Sequence, residues 1–350
     1  MERITMGHGA GGTLTLQLIK NHVLKHLGGS SFEVPLEALD DAAVVDGVVF
    51  KSDGHTIKPL FFPGGDIGRL AVSGTVNDIA MLGAEPVALA AGMILEEGLP
   101  LTDLERILVS MHETCREADV WIAAGDTKVV ERGSLGGMVI NTSGIGRRCK
   151  ALEHNMAVVK RFRSGFGAKW ILDSNLKPGD KIIVSGTVGD HGIALLSFRE
   201  GYGFGYELKS DVAPLNGLTL KLMGEVGGIV AMKDPTRGGL ATSLNEWAEK
   251  SRVGILVDEE AIPVREGVKA ACEMLGIDPL EIGNEGKVVI GVIPEKAEEV
   301  LKTLRSHPQG REAQIIGEAT SRHQGVILQT QIGGRRPLPP PLGDPIPRIC

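Results

Sequence analysis

Asp46-Gly47 stands between two short apolar runs, Ala42-Ala43-Val44-Val45 and Val48-Val49-Phe50. A two-residue Asp-Gly loop closes a β-hairpin because both positions accept positive φ, and the resulting turn matches the twist of its strands. The chain therefore contains antiparallel pairing early on. Helical spacing over 66–83 (Ile67, Leu70, Ala71, Ile79, Leu82) comes next, then a strand at 87–95. Thr102-Asp103-Leu104-Glu105 has the spacing of a capping box and opens a helix. Its apolar set is Leu104, Ile107, Leu108, Met111, Cys115 and Ala118, which makes Cys115 a core residue. A strand at 120–124 runs into the loop Gly125-Asp126-Thr127-Lys128, and 136–142 is another strand.

Residues 147–169 break this pattern, with seven basic residues, one acid and no clean periodicity, and read as a linker or surface excursion. Strands at 181–185, 253–257, 287–292 and near 315 and 326 alternate irregularly with helices at 193–198, 239–250, 264–275 and 295–306. Without a strict βαβ rhythm, the expectation is an α/β (α+β) protein with mixed sheets in two domains. The expected divisions are a glycine-rich lead and helix (1–36), an N-terminal domain (37–150), a C-terminal α/β domain (151–332) and a proline-rich tail (333–350).

Glycine accounts for 48 of 350 residues, roughly twice the usual share of about 7%, and points to tight turns and to backbone that approaches ligands closely. The lead Met6 to Gly12 is the densest such run, with Thr13 available to cap the helix behind it. There is no G-x-x-x-x-G-K-[ST] loop, which excludes a Walker-type NTPase. A net charge of −7 argues against nucleic acid and anionic membrane as partners. No apolar run reaches the ~18 residues needed to span a bilayer, no signal segment is evident, and the four scattered cysteines lack zinc spacing. These features read as cytoplasmic.

Six of the 18 prolines lie between Pro337 and Pro347, just before Arg348-Ile349-Cys350. Fourteen residues of such chain at about 3.1 Å each reach roughly 40 Å, enough to carry Cys350 across a body whose radius of gyration is about 20 Å. Five carboxylates, Asp41, Asp53, Asp78, Asp126 and Asp234, fall at expected turns and element ends. Oxygen donors of this kind suit Mg²⁺ shared with substrate phosphates, although each aspartate alone reads better as a solvated turn residue.

The order Asp-Asp-Ala-Ala-Val (40–44), Ser-Asp (52–53), Asn-Asp-Ile-Ala-Met-Leu-Gly-Ala (77–84), Gly-Asp-Thr (125–127) and Asp-Pro-Thr-Arg-Gly-Gly (234–239) resembles the ATP-binding superfamily of aminoimidazole ribonucleotide synthetase. Within it, the chain closely resembles the HypE family of hydrogenase maturation factors. The resemblance rests on Gly-His-Gly-Ala-Gly-Gly (7–12), Gly-Asp-Thr-Lys-Val-Val (125–130), Ser-Gly-Thr-Val-Gly-Asp-His-Gly (185–192), Asn-Glu-Gly-Lys (284–287) and Pro-Arg-Ile-Cys (347–350). It covers nearly the whole chain and departs at the long basic stretch 147–169.

The resemblance implies a carbamoyl dehydratase whose substrate is its own Cys350. The carbamoyltransferase HypF would load the sulfur, ATP would drive dehydration to a thiocyanate, and a HypC–HypD iron-carrying complex would accept the cyanide. It implies Glu285 as base with Lys128 as its partner. ATP would be bound by His8, Gly9, Gly11, Gly12, Lys51, Asp53, Asn77, Asp78, Asp126 and Thr127. Mg²⁺ would be held by Asp41, Asp53, Asp78, Asp126 and Asp234. A homodimer through N-terminal-domain strands is also implied. The rivals are a small-molecule kinase of the same superfamily, which would have no use for residues 337–350, and a non-catalytic carrier that never turns over ATP.

Overall fold

The computed structural model describes residues 3–202, 207–343, 346 and 348–350. The sequence expectation of a mixed α/β protein holds. The first sheet is built from strands β1 (Ala43–Val45), β2 (Val48–His55), β5 (Glu85–Glu96), β6 (Ile122–Val130) and β7 (Met138–Arg147), after a small ribbon of β3 (Phe61–Phe62) and β4 (Gly65–Asp66). Its order is β1-β2-β7-β5-β6, antiparallel except for the β5–β6 pair. Asp46 and Gly47 both have positive φ, 50° and 77°, as the hairpin turn demands.

The second sheet holds β8 (Lys181–Val184), β9 (Ile229–Lys233), β10 (Gly254–Asp258), β11 (Val289–Val292), β12 (Gln314–Thr320), β13 (Gly325–Gln329) and β14 (Arg335–Pro337). They lie in the order β14-β13-β10-β12-β8-β11-β9. The helices, in chain order, are α1 (Thr13–Leu18), α2 (Leu24–Leu27), α3 (Ile67–Met81), α4 (Leu101–Glu117), α5 (Lys150–Phe162), α6 (Asp190–Glu200), α7 (Asn216–Glu225), α8 (Gly239–Ser251), α9 (Glu266–Leu275) and α10 (Ala297–Arg305). A π-turn at Ile19–Val23 joins α1 to α2, so the helix expected behind Thr13 is a single distorted rod, with Gly12 at its cap position.

α3 is capped by Asp66, whose carboxylate accepts the N–H groups of Gly68 (2.7 Å) and Arg69 (3.0 Å). It is buried along almost its whole length, between the first sheet and the second half of the chain. One apolar core runs from Val44, Val49 and Ile79 through Leu152 and Met156 to Ile182, Ile290 and Trp247. A second core joins Ile57, Leu70 and Leu89 to Ile193, Val268, Ile346 and Ile349.

Four local expectations are corrected. Residues 147–169 contain α5, an amphipathic helix that buries Leu152, Met156 and Val159 against α7; its basic residues are the solvated face that concealed the stripe. α4 begins two residues early, at Leu101 after Pro100, with no capping box. β6 continues through Gly125-Asp126-Thr127-Lys128 instead of turning there. The tail is not a free spacer: β14 adds it to the second sheet, and Leu338, Ile346 and Ile349 are buried. Pro345 and Pro347 of that expectation lie outside the described residues. α7 and β9 went unanticipated.

Candidate active site

A cleft of about 320 Å³ opens between the two sheets. On β2 every second side chain faces one way, which puts Val49 in the core and Lys51, Asp53 and His55 along one line toward the cleft. α3 brings Asp78, the chain entering β1 brings Asp41, and the loop before α8 brings Asp234, Thr236 and Arg237. The lead crosses this cleft at Gly11 and Gly12. A Cβ on Gly12 would stand 2.1 Å from the Pro341 carbonyl oxygen, so only glycine lets lead and tail meet there.

Carboxylate oxygens of Asp41, Asp78 and Asp234 all lie within 4.8 Å of one another. Burial, then the charges of Asp78 and Asp41, holds the Asp234 carboxyl well above its ordinary range. Burial pushes Asp78 up to about 7 although Lys51 Nζ sits 2.6 Å away. Asp41 is raised by burial too, against Lys233 at 2.6 Å. Buried like charges this close are costly without a cation, and hard oxygen donors are what Mg²⁺ takes. These residues fit a divalent cation: Asp41, Asp78 and Asp234 would hold it, with Asp53 beside them. When bound, it would screen phosphate charge.

Glu285 projects from a turn that its neighbours lock. The Asn284 side chain accepts Gly189 N–H at 2.8 Å and donates to the carbonyls of Pro235 (3.2 Å) and Ile282 (3.1 Å). Gly286 passes so close to Asp211 that a Cβ would stand 1.8 Å from that carbonyl oxygen. Glu285 itself is buried, and its Oε1 has no hydrogen-bond partner in the structure. Burial, and then the charge of Asp211, raises its pKa well above the usual carboxylate range. Cys350 lines the same cleft, its carbonyl oxygen receiving the Thr56 N–H (3.1 Å) and hydroxyl (3.2 Å). The three clustered aspartates, the unpartnered carboxyl of Glu285 and the C-terminal cysteine thus line one cavity.

Models of the AIR synthase related protein family match the chain twice, the N-terminal domain over residues 39–148 and the C-terminal domain over 177–329. The carbamoyl dehydratase HypE of Azotobacter vinelandii is 45% identical, covering 99% of this chain and 97% of its own. That of Cupriavidus necator is also 45% identical, over 99% and 95%. The chain belongs to the HypE carbamoyl dehydratase family. A HypE crystallised in a HypE–HypF complex shares 45% identity and a TM-score of 0.83, covering 93% of this chain and 99% of that one. A HypE crystallised with ATP shares 42% identity and a TM-score of 0.79, covering 99% and 100%.

The HypE-like motifs are not all brought together. Asp126, Thr127 and Lys128 lie exposed on the edge strand β6, outside this cleft, with Lys128 Nζ 2.8 Å from Asp126. The expectation that Asp126 joins the other aspartates, or that Lys128 stands by Glu285, is not met within one chain, because the glycine beside Asp126 marks no turn. Asn77 is buried away from the cleft, its amide spent on the Ala213 carbonyl (3.1 Å) and Leu215 N–H (2.7 Å). His8 bonds Thr5 at 2.8 Å, and Gly9 offers its carbonyl to Arg237 at 3.1 Å; neither lines the cleft. Sequence reasoning missed His55, Thr56, Lys233, Arg237 and Glu246. Of these, Arg237 stood within a quoted motif, and His55 followed from the alternation of β2.

Proposed function

We propose that this HypE-family chain dehydrates an S-carbamoyl group on Cys350 to a thiocyanate, at the expense of ATP, to supply cyanide ligands for [NiFe]-hydrogenase iron. The observation that carries this reading is the meeting of Cys350, Glu285 and the aspartate cluster in one cleft. A carbamoyl oxygen is a poor leaving group. Its attack on the γ-phosphorus forms a C–O–P link and releases ADP. Loss of one N–H proton gives the imidate phosphate, and loss of the second, as the C–O bond breaks and phosphate departs, leaves S–C≡N. The net change is removal of one water from the carbamoyl group and its addition to ATP.

Glu285 is the base in this scheme. A raised pKa makes its carboxylate a better proton acceptor, and its free Oε1 leaves room for an N–H. Lys51 and Arg237 supply cationic donors to the phosphates, with Mg²⁺ bound at Asp41, Asp78 and Asp234 and with Asp53 near them. Lead and tail, meeting at Gly12 and Pro341, keep water from the activated group.

HypF as carbamoyl donor and a HypC–HypD complex as acceptor follow from the same family reading, as does a cytoplasmic site of action. Among the described residues no helix is long and apolar enough to cross a membrane. A homodimer is supported by the open edge of β6, where Trp121, Ile122 and Val129 are exposed. In such a dimer Asp126, Thr127 and Lys128 would serve from the second copy. Phosphate release tests the whole reading: the carbamoylated chain should release it with ATP, and Cys350→Ala should not. Equal release from both would mean that Cys350 is not the substrate.

A further inference from the structure

The tail is seated by its penultimate residue. The Ile349 side chain is buried against Gly283, where a Cβ would stand 2.7 Å from Ile349 Cδ1. Gly283 belongs to the loop that carries Glu285, so the floor of this socket and the unpartnered carboxyl move as one piece. The Ile349 carbonyl oxygen is held by His191, whose Nε2 lies 2.7 Å away. His191 is fully buried, with Phe62 edge-on to its ring at 5.6 Å and its Nδ1 2.8 Å from Ser210 Oγ.

The bond to the tail has a fixed direction. A carbonyl oxygen brings no proton, so Nε2 carries one and donates it. Ser210 Oγ accepts the Val212 N–H at 3.1 Å and keeps both its proton and a second lone pair, so it can donate to Nδ1 or accept from it. Burial keeps the imidazole's pKa below the ordinary histidine value, which favours the neutral ring with its proton on Nε2 and Ser210 donating to Nδ1.

We propose that His191 is a positioning residue: its Nε2–H grips the Ile349 carbonyl and thereby sets Cys350 against the Glu285 loop. The chemical half of this inference rests on the dehydratase reading; the mechanical half does not. Thr56 holds the Cys350 carbonyl and Lys58 the Arg348 carbonyl, so losing the His191 grip frees the Ile349 carbonyl between them and loosens the final dipeptide. A loosened tail stays open to the carbamoyltransferase while its sulfur sits poorly for dehydration.

Two readouts test this. The first is brief trypsin treatment, following by mass the loss of the last two residues through cleavage after Arg348. His191→Leu should lose them roughly tenfold faster than wild type, the worth of one hydrogen bond. The second is water loss from the pre-carbamoylated chain after ATP addition, which His191→Leu should slow on the order of 10²-fold through misplacement. Its Mg-ATP affinity and its carbamoylation should match wild type.

His191→Gln, which keeps an N–H at nearly the same reach, should recover most of both readouts. Ser210→Ala, which leaves the ring in place but frees its tautomer, should show the same two defects more weakly and covers the case that His191→Leu does not fold. Wild-type tryptic protection in both His191→Leu and Ser210→Ala, or wild-type dehydration in both, overturns the proposal. If wild type itself loses no water, the dehydratase reading fails and the tryptic arm alone judges the grip.

Discussion

The backbone N–H of Thr56 donates to the carbonyl oxygen of Cys350 at 3.1 Å. Thr56 directly follows β2, so the strand that carries Lys51, Asp53 and His55 into the cleft also holds the last residue of the tail. Arg348 adds to this seam, its Nε giving a hydrogen bond to the Thr56 carbonyl at 3.1 Å and its own carbonyl accepting the Lys58 N–H at 3.3 Å. Nucleotide groups and reacting sulfur are thus referred to one piece of backbone.

Cys350→Ala should leave fold and Mg-ATP binding intact while abolishing modification. Ile346 and Ile349 do the packing in this tail, and the thiol is only half-buried. The stability change should stay under about 1 kcal/mol, as thermal unfolding would report. A large drop in Tm would mean that the sulfur itself anchors the tail.

Glu285→Gln should fail at a later step. The side chain keeps its size but loses most of its basicity, so Cys350 should be carbamoylated and then persist unchanged, with dehydration slower by about 10²–10⁴-fold. Mass analysis of the C-terminal peptide separates the two steps. Wild-type dehydration by Glu285→Gln would remove Glu285 from the role of base.

In the presence of a chelator, stability should fall as pH rises from about 6.5 to 8, above the range in which His55 and His191, whose pKa values burial lowers, oppose the trend. Asp40, Asp78, Asp234 and Glu285 all bind their protons more tightly folded than unfolded, Asp40 and Asp78 at about 7. Such groups favour folding at low pH, and that advantage is lost as pH climbs through their folded values. Asp53, Asp173 and Asp211 are shifted the other way, so their contribution is lost only in acid, below about pH 4. Mg²⁺ should restore stability at pH 8 by binding the folded state. A Tm that rises over this window without metal, or ignores Mg²⁺ at pH 8, would contradict the cation site.

Light scattering should find a dimer. β6 pairs with β5 on one side only and presents Val129 at 68% exposure, with Trp121 just before the strand at 63%, an edge open to another strand. Val129→Lys should shift the chain toward monomer with little effect on its fold and should weaken ATP turnover along with Asp126→Asn. A wild-type monomer at working concentration would exclude help from a second copy.

What could be read in advance followed from local chemistry. The Asp46-Gly47 turn and the apolar spacing of Ile67–Met81 predicted a hairpin and a helix that the structure contains, because positive φ and a helical stripe are written in single residues. α5 escaped because basic side chains at both its ends and around it masked the apolar stripe of Leu152, Met156 and Val159. Asp41, Asp78 and Asp234 were legible as oxygen donors, but that they, and not Asp126, converge depends on which strand ends up at a sheet edge. Asn77 misled for a related reason: its amide clamps the backbone at 213–215, a contact across the fold that no local pattern announces.

The most direct measurement is the mass of the Cys350-containing peptide. The chain is carbamoylated, stripped of nucleotide, and given Mg-ATP or a non-hydrolysable analogue. With ATP the adduct should lose the mass of one water and one phosphate should appear per adduct, while with the analogue the carbamoyl group should stay. An adduct that keeps its water while ATP is consumed, or loses it equally with the analogue, would contradict dehydration driven by ATP in this cleft.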